Sequence, residues 1–102
     1  MRKMKEKLTF TLFTPQRKLP ELECDSVKLS IADSVSGKFS GIYGIRKGHA
    51  RAVLAVAPGR ISVSLDGQEI FSAEARGGFA AVENNEVRVV ADGVNINGML
   101  SD

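Results

Sequence analysis

Cys24 and His49 are the residues of this chain with the chemistry for nucleophilic catalysis, and each is the only one of its kind. An attacking thiol must be a thiolate, and a nearby histidine can take its proton. The local sequence opposes that use. Glu21, Glu23 and Asp25 surround Cys24, and negative neighbours raise a thiol's pKa and keep it protonated. One cysteine and one histidine also cannot supply a Cys/His zinc site. The carboxylates are scattered, and the one close pair, Glu21 and Glu23, falls in an apparent turn. Gly37, Gly41, Gly44 and Gly48 do not form a nucleotide fingerprint, because no strand–helix unit follows them. Neither catalysis nor a resident metal or cofactor is expected, which leaves binding or structural work.

Any binding residues must then be held by β-structure, because period-two alternation dominates the chain. Leu8, Phe10 and Leu12 share one face of a strand, with Thr9, Thr11 and Phe13 on the other, and Pro15 stops it. Val27, Leu29 and Ile31 alternate with Lys28 and Ser30 after the turn residues Asp25-Ser26. Arg51 to Ala57 reads as a strand with both faces largely apolar, ended by Pro58-Gly59. Ile61, Val63 and Leu65 alternate with serines, and Asp66-Gly67 predicts a type I′ hairpin turn into Gln68–Ala75. Phe79–Glu83 and Glu86–Ala91 flank Asn84-Asn85 as a second hairpin. Arg76-Gly77-Gly78 marks a bulge or turn that needs positive φ. Phe79 is expected in the core. The glycine-rich stretch from Gly37 to Gly48 reads as a loop or bulged segment anchored by Ile42, Tyr43 and Ile45. No segment combines helical spacing with caps.

Short strands with turns at close intervals predict an all-β fold, a sandwich or barrel in one domain, which suits 102 residues. The formal net charge is +2, short of a nucleic-acid-binding footprint, and no Arg-rich stripe carries interleaved aromatics. Arg2, Lys3, Lys5 and Lys7 make residues 1–7 a basic, flexible leader. No small-residue cleavage site follows it. The longest unbroken apolar run, Ala52 to Ala57, is far short of the ~20 residues a spanning helix needs. A single cysteine fits a reducing compartment, so the cytoplasm is expected, without direct membrane insertion.

One string is unusual: Gly77-Gly78-Phe79, Ala80-Ala81-Val82, Asn84-Asn85, then Glu86-Val87-Arg88-Val89-Val90-Ala91-Asp92. It resembles the closing hairpin of the N-terminal β-sandwich in epsilon subunits of rotary F-type ATP synthases. Four further elements fall in register with that family: Leu12-Phe13-Thr14-Pro15, Asp25-Ser26-Val27, Tyr43-Gly44-Ile45-Arg46-Lys47-Gly48-His49-Ala50, and Val56-Ala57-Pro58-Gly59. The chain departs from the pattern in its extra material at Asp33 to Gly41. It also has Lys47 where a proline is customary and Ile42 where an acidic residue is often found.

The resemblance implies a flattened β-sandwich of about ten strands over residues 8–92, with 93–102 as a short tail. It implies a non-catalytic central-stalk subunit that binds gamma and seats one end on the membrane rotor ring. That subunit would help couple rotation to ion transport and ATP synthesis on the inner face of the membrane. The ring-facing candidates carried over are Gly44, Arg46, Lys47, Gly48 and His49, while gamma-facing residues are not identified. Ten residues after Asp92 cannot form the family's inhibitory helix pair, which needs at least ~25. The inhibitory arm and its nucleotide site are thus expected to be absent. The alternative is a free-standing β-sandwich binding a small ligand or carbohydrate. That reading requires exposed aromatics on one face, whereas most of the phenylalanines are expected to face the core.

Overall fold

The computed structural model describes residues 7–33 and 35–96, together with the backbone of Met99–Leu100. The leader residues before Lys7, and Asn97, Gly98, Ser101 and Asp102 of the tail, lie outside the described residues. Among the described residues there are eleven strands and no helix. They are β1 (Leu8–Phe13), β2 (Leu22–Cys24), β3 (Ser26–Ala32), β4 (Phe39–Arg46), β5 (Ala52–Val56), β6 (Gly59–Leu65), β7 (Gln68–Ala75), β8 (Gly78–Glu83), β9 (Glu86–Ala91), β10 (Val94–Ile96) and β11 (Met99–Leu100). They form one sheet in the order β11-β10-β7-β6-β3-β5-β8-β9-β1-β2, with β4 paired on β3.

The sheet curls so that its apolar face closes on itself, giving the sandwich that the alternation predicts. Leu8, Phe10 and Leu12 of β1, Val27 and Leu29 of β3, Ile61 and Val63 of β6, and Val87 and Val89 of β9 all point inward and are fully or almost fully buried. Alternation sorts these residues because successive side chains of a strand take opposite faces. Phe10 and Phe71 meet across the interior with ring centroids 5.8 Å apart. A parallel pairing of β1 with β9 joins the first strand to the closing hairpin. Both predicted tight turns hold. Asp66 and Gly67 have φ of 52° and 79°, and Asn84 and Asn85 have 52° and 60°, the left-handed pair that a type I′ turn requires.

Three expectations are corrected. The Gly37–Gly48 stretch, read as a loop or bulged segment, is mostly strand: residues Phe39–Arg46 form β4, paired along β3 with a bulge-like register shift opposite Ile31/Ala32. Its ladder partner shapes this strand more than its own weak propensity does. The extra Asp33–Gly41 material is the β3–β4 turn and the start of β4. Asp33 Oδ1 accepts the Val35 and Ser36 amides at 2.8 and 2.9 Å, a side-chain-capped turn. Next, Leu22–Cys24 is a short strand where a turn is predicted, since it pairs with β1. Finally, Phe79 is 51% exposed and Phe39 60% exposed. Within β8, Ala80 and Val82 take the buried parity and so leave Phe79 outside.

The sheet also continues past Asp92. Val94 is buried, and β10 pairs with β7. Lys7, the last leader residue, is tied to Asp25 by an ion pair of 3.1 Å.

Candidate functional site

The end of β4 and the loop to β5 carry the predicted contact residues Arg46, Lys47, Gly48 and His49 at one end of the sheet. Arg46, Lys47 and Gly48 are exposed and His49 is half-buried. Gly44 lies two residues back, exposed within β4. The turn closes through the His49 N–H donating to the Arg46 carbonyl at 3.1 Å. Gly48 takes φ +85°, a conformation that favours glycine. Its amide donates to Asn85 Oδ1 at 2.8 Å, and the Asn85 carbonyl accepts the Thr9 amide at 2.9 Å. The β8–β9 turn therefore fixes both the loop and the start of β1.

His49 is held from two sides. Tyr43 Oη lies 2.7 Å from Nε2, and the Ala50 carbonyl lies 2.6 Å from Nδ1. The two rings meet edge to face at 5.5 Å. With the Nδ1 proton donated to Ala50, Nε2 accepts from the tyrosine. His49 thus shapes the loop with both nitrogens, while Arg46 and Lys47 present the charge. Tyr43 anchors the loop as the sequence reading expects, while the support from Asn85 carried no sequence signal, because a turn asparagine bears no mark of the loop it reaches.

Beside this loop, Asp25 accepts the Asp66 amide at 2.6 Å and Lys7 Nζ at 3.1 Å. The bond from the Asp66 amide, followed by that from Lys7, holds its carboxyl below the usual carboxylate range. The cluster ties the β2–β3 junction to the β6–β7 turn at the same end of the sheet. Elsewhere, carboxylates enter structural pairs. Glu69 takes Arg60 Nη2 at 2.8 and 2.7 Å and the Ser62 hydroxyl at 2.6 Å, and Glu86 takes Arg88. Among the described residues, no group of three or more His, Cys, Asp or Glu converges as a metal site.

Cys24 is fully buried. Burial first, then Asp25 and Glu23, push its thiol up to about 11. A fully thiol form at neutral pH leaves no nucleophile. The folded chain is expected not to react with Ellman's reagent at pH 7, and one thiol per chain should appear on unfolding in guanidinium. Rapid reaction of the folded chain would restore a reactive-cysteine reading. An apolar recess of about 350 Å³ is bordered by Phe10, Leu12, Leu19, Leu22, Phe71 and Ile96, with Arg17 also on its wall.

A second surface comes from register alone. Phe13 pairs with Val90, Val90 with Phe79, and Phe79 with Ala55. One step along from the antiparallel pair Ile31–Val56, Ala32 stands beside Ala55, and Ala32 pairs with Phe39. Six apolar residues thus cross six strands in one row on the outer face, about 24 Å long at the usual strand spacing. Val53, 76% exposed, lies next to the row through its pairing with Ala81. A patch this continuous marks an interaction site more often than chance exposure.

Comparison with known proteins identifies the relatives of this chain. Residues 7–96 match the family model of the ATP synthase delta/epsilon chain β-sandwich domain. The chain is similar to the ATP synthase epsilon chain of Anaeromyxobacter sp. (strain K), 34% identical over 85 residues, which are 83% of this chain and 58% of that protein. The ATP synthase epsilon chain of Rhodospirillum centenum is 33% identical over 91 residues, 87% of this chain and 58% of its own. This chain therefore spans somewhat over half the length of these relatives. Among solved structures it resembles a chain of the Euglena gracilis mitochondrial ATP synthase, in a structure that includes the c-ring. The TM-score is 0.79 at 18% identity, covering 98% of this chain and 59% of that one. A chain of the Tetrahymena thermophila mitochondrial ATP synthase central stalk and c-ring gives 0.67 at 14% identity, covering 90% and 68%.

Proposed function

This chain belongs to the delta/epsilon-chain β-sandwich family of ATP synthases, and on that premise we propose that it is a non-catalytic rotor subunit of the central stalk. In this reading the outer face binds gamma, and the loop end at Arg46–His49 meets the polar loops of the membrane rotor ring. The chain works by static attachment, carrying rotation without chemistry of its own, at the inner face of the membrane through the complex.

The observation that carries the gamma contact is the outer-face row running from Phe13 to Phe39, with Val53 beside it. Exposed apolar side chains in such a row are costly in water and are offset by an apolar partner. A row about 24 Å long also suits the centre of an interface of the ~800 Å² per partner that stable complexes bury. The loop's rigid support favours ring contact, because a fixed charged turn on a sandwich loses little freedom on docking.

Co-expression with gamma from the same organism, followed by size-exclusion chromatography and native mass spectrometry, tests this reading. A stable 1:1 complex is expected. Two folded proteins that do not associate would move the ligand-binding alternative forward. That alternative has the exposed aromatics it needs in Phe39 and Phe79. The apolar row continues from Phe79 through Val90 and Ala55 with Val53 beside it, and such a long apolar face favours protein contact over a small sugar.

The ring contact has its own test. Arg46→Glu combined with Lys47→Glu reverses the exposed charge of the turn without touching the Gly48–Asn85 or Tyr43–His49 bonds. Ring retention in a pull-down is expected to fall by at least about tenfold at low salt, because charge reversal acts chiefly on exposed, steering contacts. The thermal midpoint and gamma binding should stay as in the wild type. Equal ring retention by both proteins would remove the loop from the ring.

A further inference from the structure

The β3–β4 hairpin leaves one sheet edge open. Among the described residues β4 pairs only with β3, although it is eight residues long. The direction of its free backbone groups follows from two printed bonds of β3. The Ser30 carbonyl accepts the Ala57 amide at 2.9 Å, toward β5, while the Asp33 amide donates to the Lys38 carbonyl at 2.8 Å, toward the β4 side. In an antiparallel strand a residue's N–H and C=O point the same way, alternating along the chain. Odd-numbered residues of β3 therefore bond β4, through the pairs Val27–Ile45, Leu29–Tyr43 and Ile31–Gly41. Ile42 and Gly44, at the other parity, turn their N–H and C=O groups outward.

The surroundings of this edge describe what could cover it. Ile42 is 64% exposed and shares the outer face with Phe39, so a strand added there would prolong the apolar row already present. Lys28, Lys38, Arg46 and Lys47 are all exposed along the hairpin and at its ends. The hairpin's single carboxylate, Asp33, is occupied by the amides of its own turn. Two copies of β4 paired antiparallel about Ile42 would set Arg46 opposite Lys38, a like-charge contact that disfavours self-association.

We infer that the open edge of β4 at Ile42 and Gly44 receives an extended, carboxylate-bearing segment of the stalk partner as an added strand, continuous with the outer-face interface. The inference rests on the stalk reading above. Backbone hydrogen bonds would supply register, Ile42 and Phe39 an apolar shelf, and Lys28 and Lys38 the charge match.

The test uses the 15N-labelled chain, free and in complex with gamma, with amide hydrogen exchange read by NMR. In the free chain the Ile42 and Gly44 amides should exchange quickly, while those of Tyr43 and Ile45 are protected by the β3 ladder. In the complex, Ile42 and Gly44 should slow by at least about tenfold. Ile42→Pro removes one outward donor where edge strands tolerate proline, and it is expected to weaken gamma binding about tenfold. If Ile42→Pro fails to fold, the exchange measurement on the wild-type chain decides alone. A complex in which both amides stay fast overturns the added strand and leaves the stalk reading standing. No complex at all overturns the stalk reading and this inference with it.

Discussion

Gly78→Ala is expected to cost at least about 3 kcal/mol of stability, in the range of overpacking at a site that cannot yield. A Cβ on Gly78 would stand 1.9 Å from the Val90 carbonyl oxygen, 2.9 Å from the Val90 carbonyl carbon and 3.0 Å from Ala91 Cα. These are all backbone atoms of β9, so no flexible side chain can swing away. The position also holds φ +146°, which L side chains rarely adopt, so strain is added to the clash. Relief would require β8 to part from β9, and that pair buries Ala80, Val82, Val87 and Val89. The thermal midpoint should fall by roughly 12 °C or more for a domain of this size. Gly44→Ala is the matched control. Nothing lies within 4 Å of its added Cβ, and stability should change by less than about 0.5 kcal/mol. A Gly78→Ala chain within about 1 kcal/mol of wild type would mean that the β8–β9 pair can splay cheaply.

That glycine also shows how much of the fold is legible in sequence. Regular alternation made β1, β3, β6 and β9 readable, because one buried face demands every second residue. Asp66-Gly67 and Asn84-Asn85 were readable because few residue pairs accept two successive positive φ values. Phe79 was misplaced for a physical reason. Phe79, Ala80, Ala81 and Val82 are apolar at both parities, so alternation alone does not name the inner face. The face is set by the register of β8 between β5 and β9, which long-range pairing decides. The same holds for β4, whose glycines give a loop-like composition while its pairing with β3 makes it a strand. At the loop end, the turn and its charged residues were visible. Their supports were not, because the Asn85–Gly48 bond joins residues 37 apart.

Phe79→Glu combined with Val53→Glu is expected to weaken gamma binding by at least about 100-fold while leaving the fold intact. Both side chains are more than half exposed in the isolated chain, so charging them removes little internal packing. Surface changes of that kind usually stay within about 0.5 kcal/mol. In a closed interface Phe79 would lie near the middle of the row, with Val90 and Ala55 on either side, and Val53 next to it. A carboxylate stripped of water there without a partner costs several kcal/mol, and each 1.4 kcal/mol is tenfold in affinity. Isothermal titration with gamma, alongside thermal unfolding of the variant, separates the two effects. Lost binding with an unchanged thermal midpoint would fix gamma to the outer face. Wild-type affinity would move gamma off that face, leaving its apolar row for a different partner. The Arg46→Glu, Lys47→Glu chain should show the reverse pattern, keeping gamma and losing the ring. Since the loop end and the outer face are distinct surfaces of one rigid sandwich, the two variants together test whether a single small domain grips two partners at once.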